Sequence, residues 1–287
     1  MIKDIYAHKK AVFSLEVFPP KNDTDISSIY SILDEFKALN LDFISITYGA
    51  GGSTSKRTMD IAAYVQNQCH ISALAHLTCV SLDEYLLNKF MEELKANQIT
   101  NVLALRGDRP KDMTDSVFLN RRYRYASDLV SIISQNYGFC VGGACYPEVH
   151  PESRDQETDL YFLKSKIEAG TDFLLTQLFF DNSKFLNFYE KLRHSGISVP
   201  VSAGIMPVTS INQIKTIVEL SGACIPSKLR ALFAKYGDNP EDFKKAGLEY
   251  AAKQIDELLH NGVQGIHLYT LNKVDTSSEI FKNLGII

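Results

Sequence analysis

Side chains that can move protons or hold anions recur at one end of apolar stretches. Glu16 lies inside Ser14-Leu15-Glu16-Val17-Phe18-Pro19-Pro20, His76 and Thr78 inside a second apolar run and Gln177 inside a third, while Arg106-Gly107-Asp108 closes a fourth. More polar groups follow such runs in Thr47-Tyr48-Gly49-Ala50, in Tyr146-Pro147-Glu148-Val149-His150-Pro151 and in Tyr269-Thr270-Leu271-Asn272-Lys273. A polar side chain in an apolar strand costs a few kcal/mol unless it finds a partner. One instance is unremarkable, but repetition toward the same end of most strands is better explained by a shared polar pocket. A carboxyl desolvated there would hold its proton near neutral pH, which suits a general acid.

Each residue also has a plainer role. Glu16 could be a structural acid paired with a base such as Arg106. Arg106-Gly107-Asp108 could be a turn closed by its own ion pair, His76 a hydrogen-bonded core histidine, and Gln177 a partner for a backbone group. Gly49-Ala50-Gly51-Gly52 is not a dinucleotide fingerprint, because Thr54 stands where the third glycine would be. A flexible loop is the better role for Gly51 and Gly52. No H-E-x-x-H, G-x-S-x-G or Walker sequence occurs, which argues against a zincin, a serine hydrolase and a P-loop NTPase.

The elements that must position these groups alternate. Candidate strands are Ala11–Phe18, Asp42–Thr47, Ser72–Cys79, Asn101–Leu105, Phe139–Cys145, Asp172–Leu178, Val199–Gly204 and Gly265–Thr270. Several are nearly continuous apolar runs, as in parallel strands covered on both faces. Helical periodicity lies between them, as in Asp25–Leu39 with Ile26, Ile29, Leu33, Phe36 and Leu39 on one face. Ser81-Leu82-Asp83-Glu84 reads as a capping box, and Gly138, Gly196, Gly222 and Gly262 follow helical stretches. Most strands recur about every thirty residues, one βα unit. The last interval is longer and holds an extra helix near Ser227–Tyr236. With no linker or composition break, an α/β fold follows, either one barrel over 1–287 or an open doubly wound sheet.

The 287 residues are 45% hydrophobic and 22% charged, with a formal net charge of −4, so a large core is expected and disorder is not. Mixed charge signs argue against a nucleic-acid binder. Five cysteines (Cys69, Cys79, Cys140, Cys145 and Cys224) form no C-x-x-C pair, so reduced thiols in a cytoplasmic protein fit better than disulfides or zinc, and no metal is expected. The N-terminus lacks the apolar core of a secretory signal, and no apolar run is long enough to span a membrane.

Nine motifs now stand in order: 14–20, Ser-Ile-Thr-Tyr-Gly-Ala at 45–50, His-Leu-Thr-Cys at 76–79, Ala-Leu-Arg-Gly-Asp at 104–108, Tyr-Ala-Ser-Asp-Leu at 125–129, 146–151, Thr-Gln-Leu-Phe-Phe-Asp at 176–181, Gly-Ile-Met-Pro-Val at 204–208 and His-Leu-Tyr-Thr-Leu-Asn at 267–272. Over almost the whole chain the sequence resembles the bacterial methylenetetrahydrofolate reductases. The resemblance implies a single (β/α)8 TIM barrel with FAD as cofactor, and methylenetetrahydrofolate and NADH as substrates in a ping-pong cycle. It implies Glu16 as the catalytic general acid and Asp108 as an ionised group beside Arg106, close to flavin and folate. It places Thr47, Tyr48, Ala50, His76, Arg106, Gly107, Asp108, Tyr125, Ala126, Tyr146, His150, Asp159 and Lys166 at the FAD. Thr47, Gln177, Gln213 and Lys273 fall at the substrates. It also implies a homo-oligomer, with a tetramer as the expected size, and no C-terminal regulatory domain controlled by S-adenosylmethionine.

There are departures. Ile217 stands where the family has a phenylalanine stacking on substrates, and Lys273 replaces a common arginine, keeping the charge but losing the fork. Ser153, Phe162 and Ser165 also differ from the residues expected near FAD. Two other readings stay open: another flavin barrel of the proline dehydrogenase kind, and a barrel that binds folate without catalysis. Glu16 in its Phe-Pro-Pro context and Gln177 favour the folate enzyme, and Glu16 together with Asp108 weighs against decay.

Overall fold

The computed structural model describes residues 1–20, 26–48, 52–110 and 112–287. Its strands are β1 (Val12–Val17), β2 (Phe43–Ile46), β3 (Ser72–Thr78), β4 (Asn101–Leu105), β5 (Cys140–Cys145), β6 (Phe173–Thr176), β7 (Val201–Ile205) and β8 (Gly265–Tyr269). They form a closed barrel in sequence order. Every pair is parallel, and β1 closes the barrel on β8. The open-sheet alternative is thereby excluded. Side chains alternate along a strand. Leu15, Val17, Ile44 and Ile46 therefore join the large cluster between strands and helices. Val12, Phe43, Leu74, Leu103, Cys140, Phe173 and Leu175 fill the lumen.

The N-terminus forms a helix that periodicity did not indicate, α1 (Ile2–His8). It closes the lower end of the barrel. Ile2 and Tyr6 join the lumen cluster, the Ile2 amide donates to Asn101 Oδ1 at 2.9 Å, and the Tyr6 hydroxyl meets Ser202 Oγ at 2.6 Å.

The outer helices are α2 (Ser27–Phe36), α3 (Gly52–Asn67), α4 (Glu84–Ala96), α5 (Asp115–Leu119), α6 (Ala126–Asn136), α7 (Gln156–Glu168), α8 (Asn182–His194), α9 (Ile211–Ser221), α10 (Ser227–Tyr236), α11 (Pro240–His260) and α12 (Val274–Asn283). Lys37–Leu39 continue α2 as a 3-10 turn. The cap of α4 is Asp83, whose carboxylate accepts from the Leu86 amide at 2.7 Å. Ser81 sits outside the helix at φ 61, so the expected capping box does not form and the single Asp83 cap stands in its place. The expected helix at Ser227–Tyr236 is α10. Together with α9 it forms an excursion between β7 and α11, resting on a separate apolar cluster that includes Leu178, Phe180, Met206, Val208, Ile214, Ile217 and Leu229. Among the described residues no helix is long and apolar enough to cross a membrane.

Candidate active site

Register decides what meets at the barrel mouth. Glu16 stands level with Ser45 on β2 and Tyr269 on β8. Room for the Tyr269 ring comes from Gly204, where a Cβ would lie 2.7 Å from that ring and 2.4 Å from the Thr176 carbonyl oxygen. The Tyr269 hydroxyl donates to that same carbonyl at 2.7 Å. Burial, with the charge of Glu16 adding, holds this phenol well above its usual range.

The Glu16 carboxyl does not pair with Arg106. Among the described residues the basic side chain within 4 Å of it is His76, with Nε2 3.7 Å from Oε2, too far for a hydrogen bond. The side chain keeps 24% of its surface accessible, yet the barrel wall desolvates the carboxyl and pushes its pKa up to about 7. The same burial pushes His76 down to about 3, and its Nε2 is buried without a hydrogen-bond partner. Near neutral pH His76 is therefore neutral and Glu16 is the group that titrates. Below them, Ser14 Oγ lies 2.8 Å from His267 Nδ1, and Ser45 Oγ lies 3.3 Å from its Nε2. Burial, aided by the neighbouring His76, pushes His267 down to about 3.

Arg106 pairs instead with Glu152. Nothing in the pattern singles out this glutamate, because it lies in a polar loop. Asp108 is exposed, and its charge reaches Arg106 and Tyr146 without an ion pair to either. Gly107 takes φ 80, and a Cβ there would stand 2.8 Å from Thr78 Cβ, so the backbone approaches β3 as only glycine allows. Tyr146 meets His150 edge to face at 4.6 Å. The Glu152 amide donates to His150 Nδ1 at 3.0 Å, which leaves Nε2 to carry the proton of the neutral ring. Asp159 anchors this loop, accepting from the His150 amide and Ser153 Oγ, both at 3.1 Å. Lys166 turns inward to the Ala144 carbonyl, and burial lowers its pKa.

A cavity of about 350 Å³ opens between the Tyr146–Pro151 loop, Gln177 and Leu178, and Ser221 to Ala223 at the end of α9. Glu16 does not line it. At the start of α9, Gln213 Oε1 accepts from the Thr209 amide at 3.0 Å and from Thr209 Oγ1 at 2.8 Å. Lys273 Nζ donates to Thr209 Oγ1 at 3.3 Å, so Gln213 and Lys273 share one threonine. Thr47 lies at the top of β2, with its carbonyl taking the Thr58 hydroxyl at 2.9 Å. Tyr48 packs edge-on against Phe90, which turns its ring toward the helical layer. Tyr125 is 56% exposed and precedes Ala126, the first residue of α6. Ala50 lies outside the described residues.

The family model for methylenetetrahydrofolate reductase matches residues 1–285. The chain belongs to the methylenetetrahydrofolate reductase family. A methylenetetrahydrofolate reductase (NADH) 1 of Arabidopsis thaliana is 35% identical over 300 aligned residues, covering 100% of this chain and 50% of the relative. The 5,10-methylenetetrahydrofolate reductase of Escherichia coli is 32% identical over 273 residues, covering 95% and 90%. The chain thus spans about half the length of the plant relatives it matches. A solved structure, an uncharacterized protein from Clostridium thermocellum that binds two copies of 5-methyl-5,6,7,8-tetrahydrofolic acid, superposes with a TM-score of 0.66 at 16% identity, covering 99% of this chain and 98% of that one. At that identity the likeness shows the fold alone.

Ile217 is 9% exposed and packs into the cluster beneath α9 and α10. In the structure it is a core residue, not a stacking surface. Sequence reasoning assigned no role to Ser14, Tyr269 or His267, although all three lie within recognised motifs. A histidine inside an apolar strand was the signal that could have found His267.

Proposed function

We propose that this chain reduces 5,10-methylenetetrahydrofolate to 5-methyltetrahydrofolate in the cytoplasm, using FAD and NADH, with Glu16 as the general acid. The Glu16 carboxyl carries the reading. Desolvation alone brings it to about 7, where it can hold a proton and still release it. His76 cannot compete for that proton, because burial keeps it neutral. The bridged five-membered ring of the folate must open to an iminium cation before it can accept a hydride. Opening leaves a nitrogen that needs a proton, and Glu16 supplies it. Asp108, exposed at the mouth, favours the cationic form by its charge.

The donor set fits a flavin dinucleotide. His76 presents a buried Nε2 without a partner, and Gly107 brings backbone close to the mouth. Arg106, Tyr146, His150, Thr47, Tyr48, Tyr125, Ala126, Asp159 and Lys166 would hold the group, with Gln177, Gln213 and Lys273 at the substrates. Bound flavin would supply the hydride carrier between nicotinamide and folate. The choice of NADH is supported by the names of the plant relatives.

The test is spectroscopic. The purified protein should show a flavin band that NADH bleaches without oxygen and methylenetetrahydrofolate restores. A bleached band that the folate leaves unchanged would point to another oxidant. Absence of the band after FAD is added would remove the redox reading altogether.

A further inference from the structure

Five arginines stand in or beside the connection from β4 to α6: Arg106, Arg109, Arg121, Arg122 and Arg124. Three have carboxylates of their own. Arg106 pairs with Glu152, Arg109 with Asp115 at 2.5 Å, and Arg122 with Glu84 at 2.8 Å. Arg124 is exposed and lies over the Tyr125 ring.

Arg121 differs from all of these. Its terminal nitrogens donate to the carbonyls of Phe118 and Arg124, and its guanidinium lies 3.9 Å over the Phe118 ring. These contacts fix its position without neutralising it. Its Nε is buried with no hydrogen-bond partner. Burial, followed by the like charges of Arg106 and Arg124, pushes its pKa below the usual guanidinium range. Glu152, already bound to Arg106, also feels Arg121, so one carboxylate serves two guanidinium groups. Asp128, in the first turn of α6, makes no ion pair with Arg121; its carboxylate accepts from the Arg124 and Tyr125 amides at 2.8 and 3.0 Å, the amides that lead into the helix.

A fixed, partly buried cation with an unused donor and too little counter-charge is short of an anion. The start of α6 lies next to it in the chain. This helix of 11 residues begins at Ala126, and its first amides point out of the helix as a site for negative charge.

We propose that Arg121 is a diphosphate-binding residue, joining Arg106 and the first turn of α6 in holding the diphosphate of FAD. The role rests on the flavin reading above. It assigns a task to a residue inside the loop after Asp108, outside every recognised motif.

The test compares dissociation constants for FAD and for riboflavin, which lacks phosphate, by quenching of flavin fluorescence in the apoprotein. Arg121→Ala should weaken FAD roughly ten- to a hundred-fold, the range of a charge-assisted bond, and leave riboflavin unchanged. Arg121→Lys keeps the charge but loses the fork and should fall between. Arg122→Ala, on an exposed pair, should match the parent. Misfolding would lower both affinities together, so the FAD to riboflavin ratio decides even for a poorly folded variant. An unchanged ratio in Arg121→Ala would overturn the role of Arg121 while leaving the flavin reading intact. A parent protein that takes up neither flavin would overturn both.

Discussion

Replacing Glu16 by glutamine separates chemistry from binding, and the structure sets the size of two effects. The amide cannot donate the acidic proton, so folate reduction should fall by about 10²–10⁴, the usual worth of a positioned acid. Reduction of the flavin by NADH needs no proton from Glu16 and should stay within a few-fold of the parent. In the parent, the folate half-reaction should slow as pH rises through about 7, because only the protonated acid serves. The second effect is on stability. Folding raises the Glu16 pKa from 4.5 to about 7, so the folded state binds the proton more tightly than the unfolded one. Stability from this group is fully present below 4.5 and is lost as pH rises through 7. The shift of 7 − 4.5 at about 1.4 kcal/mol per unit gives a loss of roughly 3 kcal/mol. Glutamine has no such loss. Stopped-flow absorbance of the flavin band in each half-reaction, with urea unfolding of both proteins at pH 4 and pH 8, reads both effects. The variant should gain on the parent by roughly 3 kcal/mol between those two pH values. Retained folate turnover, or a stability difference that does not change with pH, would refute the account of a desolvated acid.

Three further outcomes follow from packing and burial. Tyr6→Phe leaves Ser202 Oγ without its 2.6 Å partner under the barrel and should cost about 1 kcal/mol in urea unfolding. Gly204→Ala drives a Cβ into the Thr176 carbonyl oxygen and the Tyr269 ring; a loss of about 1–3 kcal/mol is expected by thermal or urea denaturation, with weakened folate turnover. His267 is lowered from 6.5 to about 3, so its stabilisation is present above 6.5 and is lost as pH falls toward 3. His267→Asn should flatten the acid side of the stability profile by about 1.4 kcal/mol per pH unit over that window.

The barrel was legible because its strands are apolar runs buried on both faces, and each expected strand overlaps an observed one. Observed strands are shorter at several ends, as where β6 stops at Thr176 instead of Leu178, because ladder pairing gives way to the polar residues of the mouth. The helix α1 was not legible. Its seven residues have little intrinsic stability, and lumen packing by Ile2 and Tyr6 makes the helix. The identity of Glu16 as a buried acid was readable from its apolar neighbours, but its partner was not. Pairing with Arg106 was a reasonable expectation from charge alone, and the fold instead gives that arginine to Glu152 from the loop after β5. Ile217 shows the converse case, where the resemblance pointed to a stacking position and packing places the side chain in the core.

The separate apolar cluster beneath α9 and α10 gives the molecule two levels of cooperativity. The strands of the barrel are each paired on both sides, so their amides can exchange with solvent only when the whole ring opens. The α9–α10 excursion owes its order to a small cluster of its own, and it carries Gln213 and one wall of the cavity beside Gln177. Its opening free energy is therefore set apart from that of the ring. Under the proposed reaction, an entrance used in turn by nicotinamide and folate could loosen and re-form while Glu16 on β1 stays where the barrel holds it.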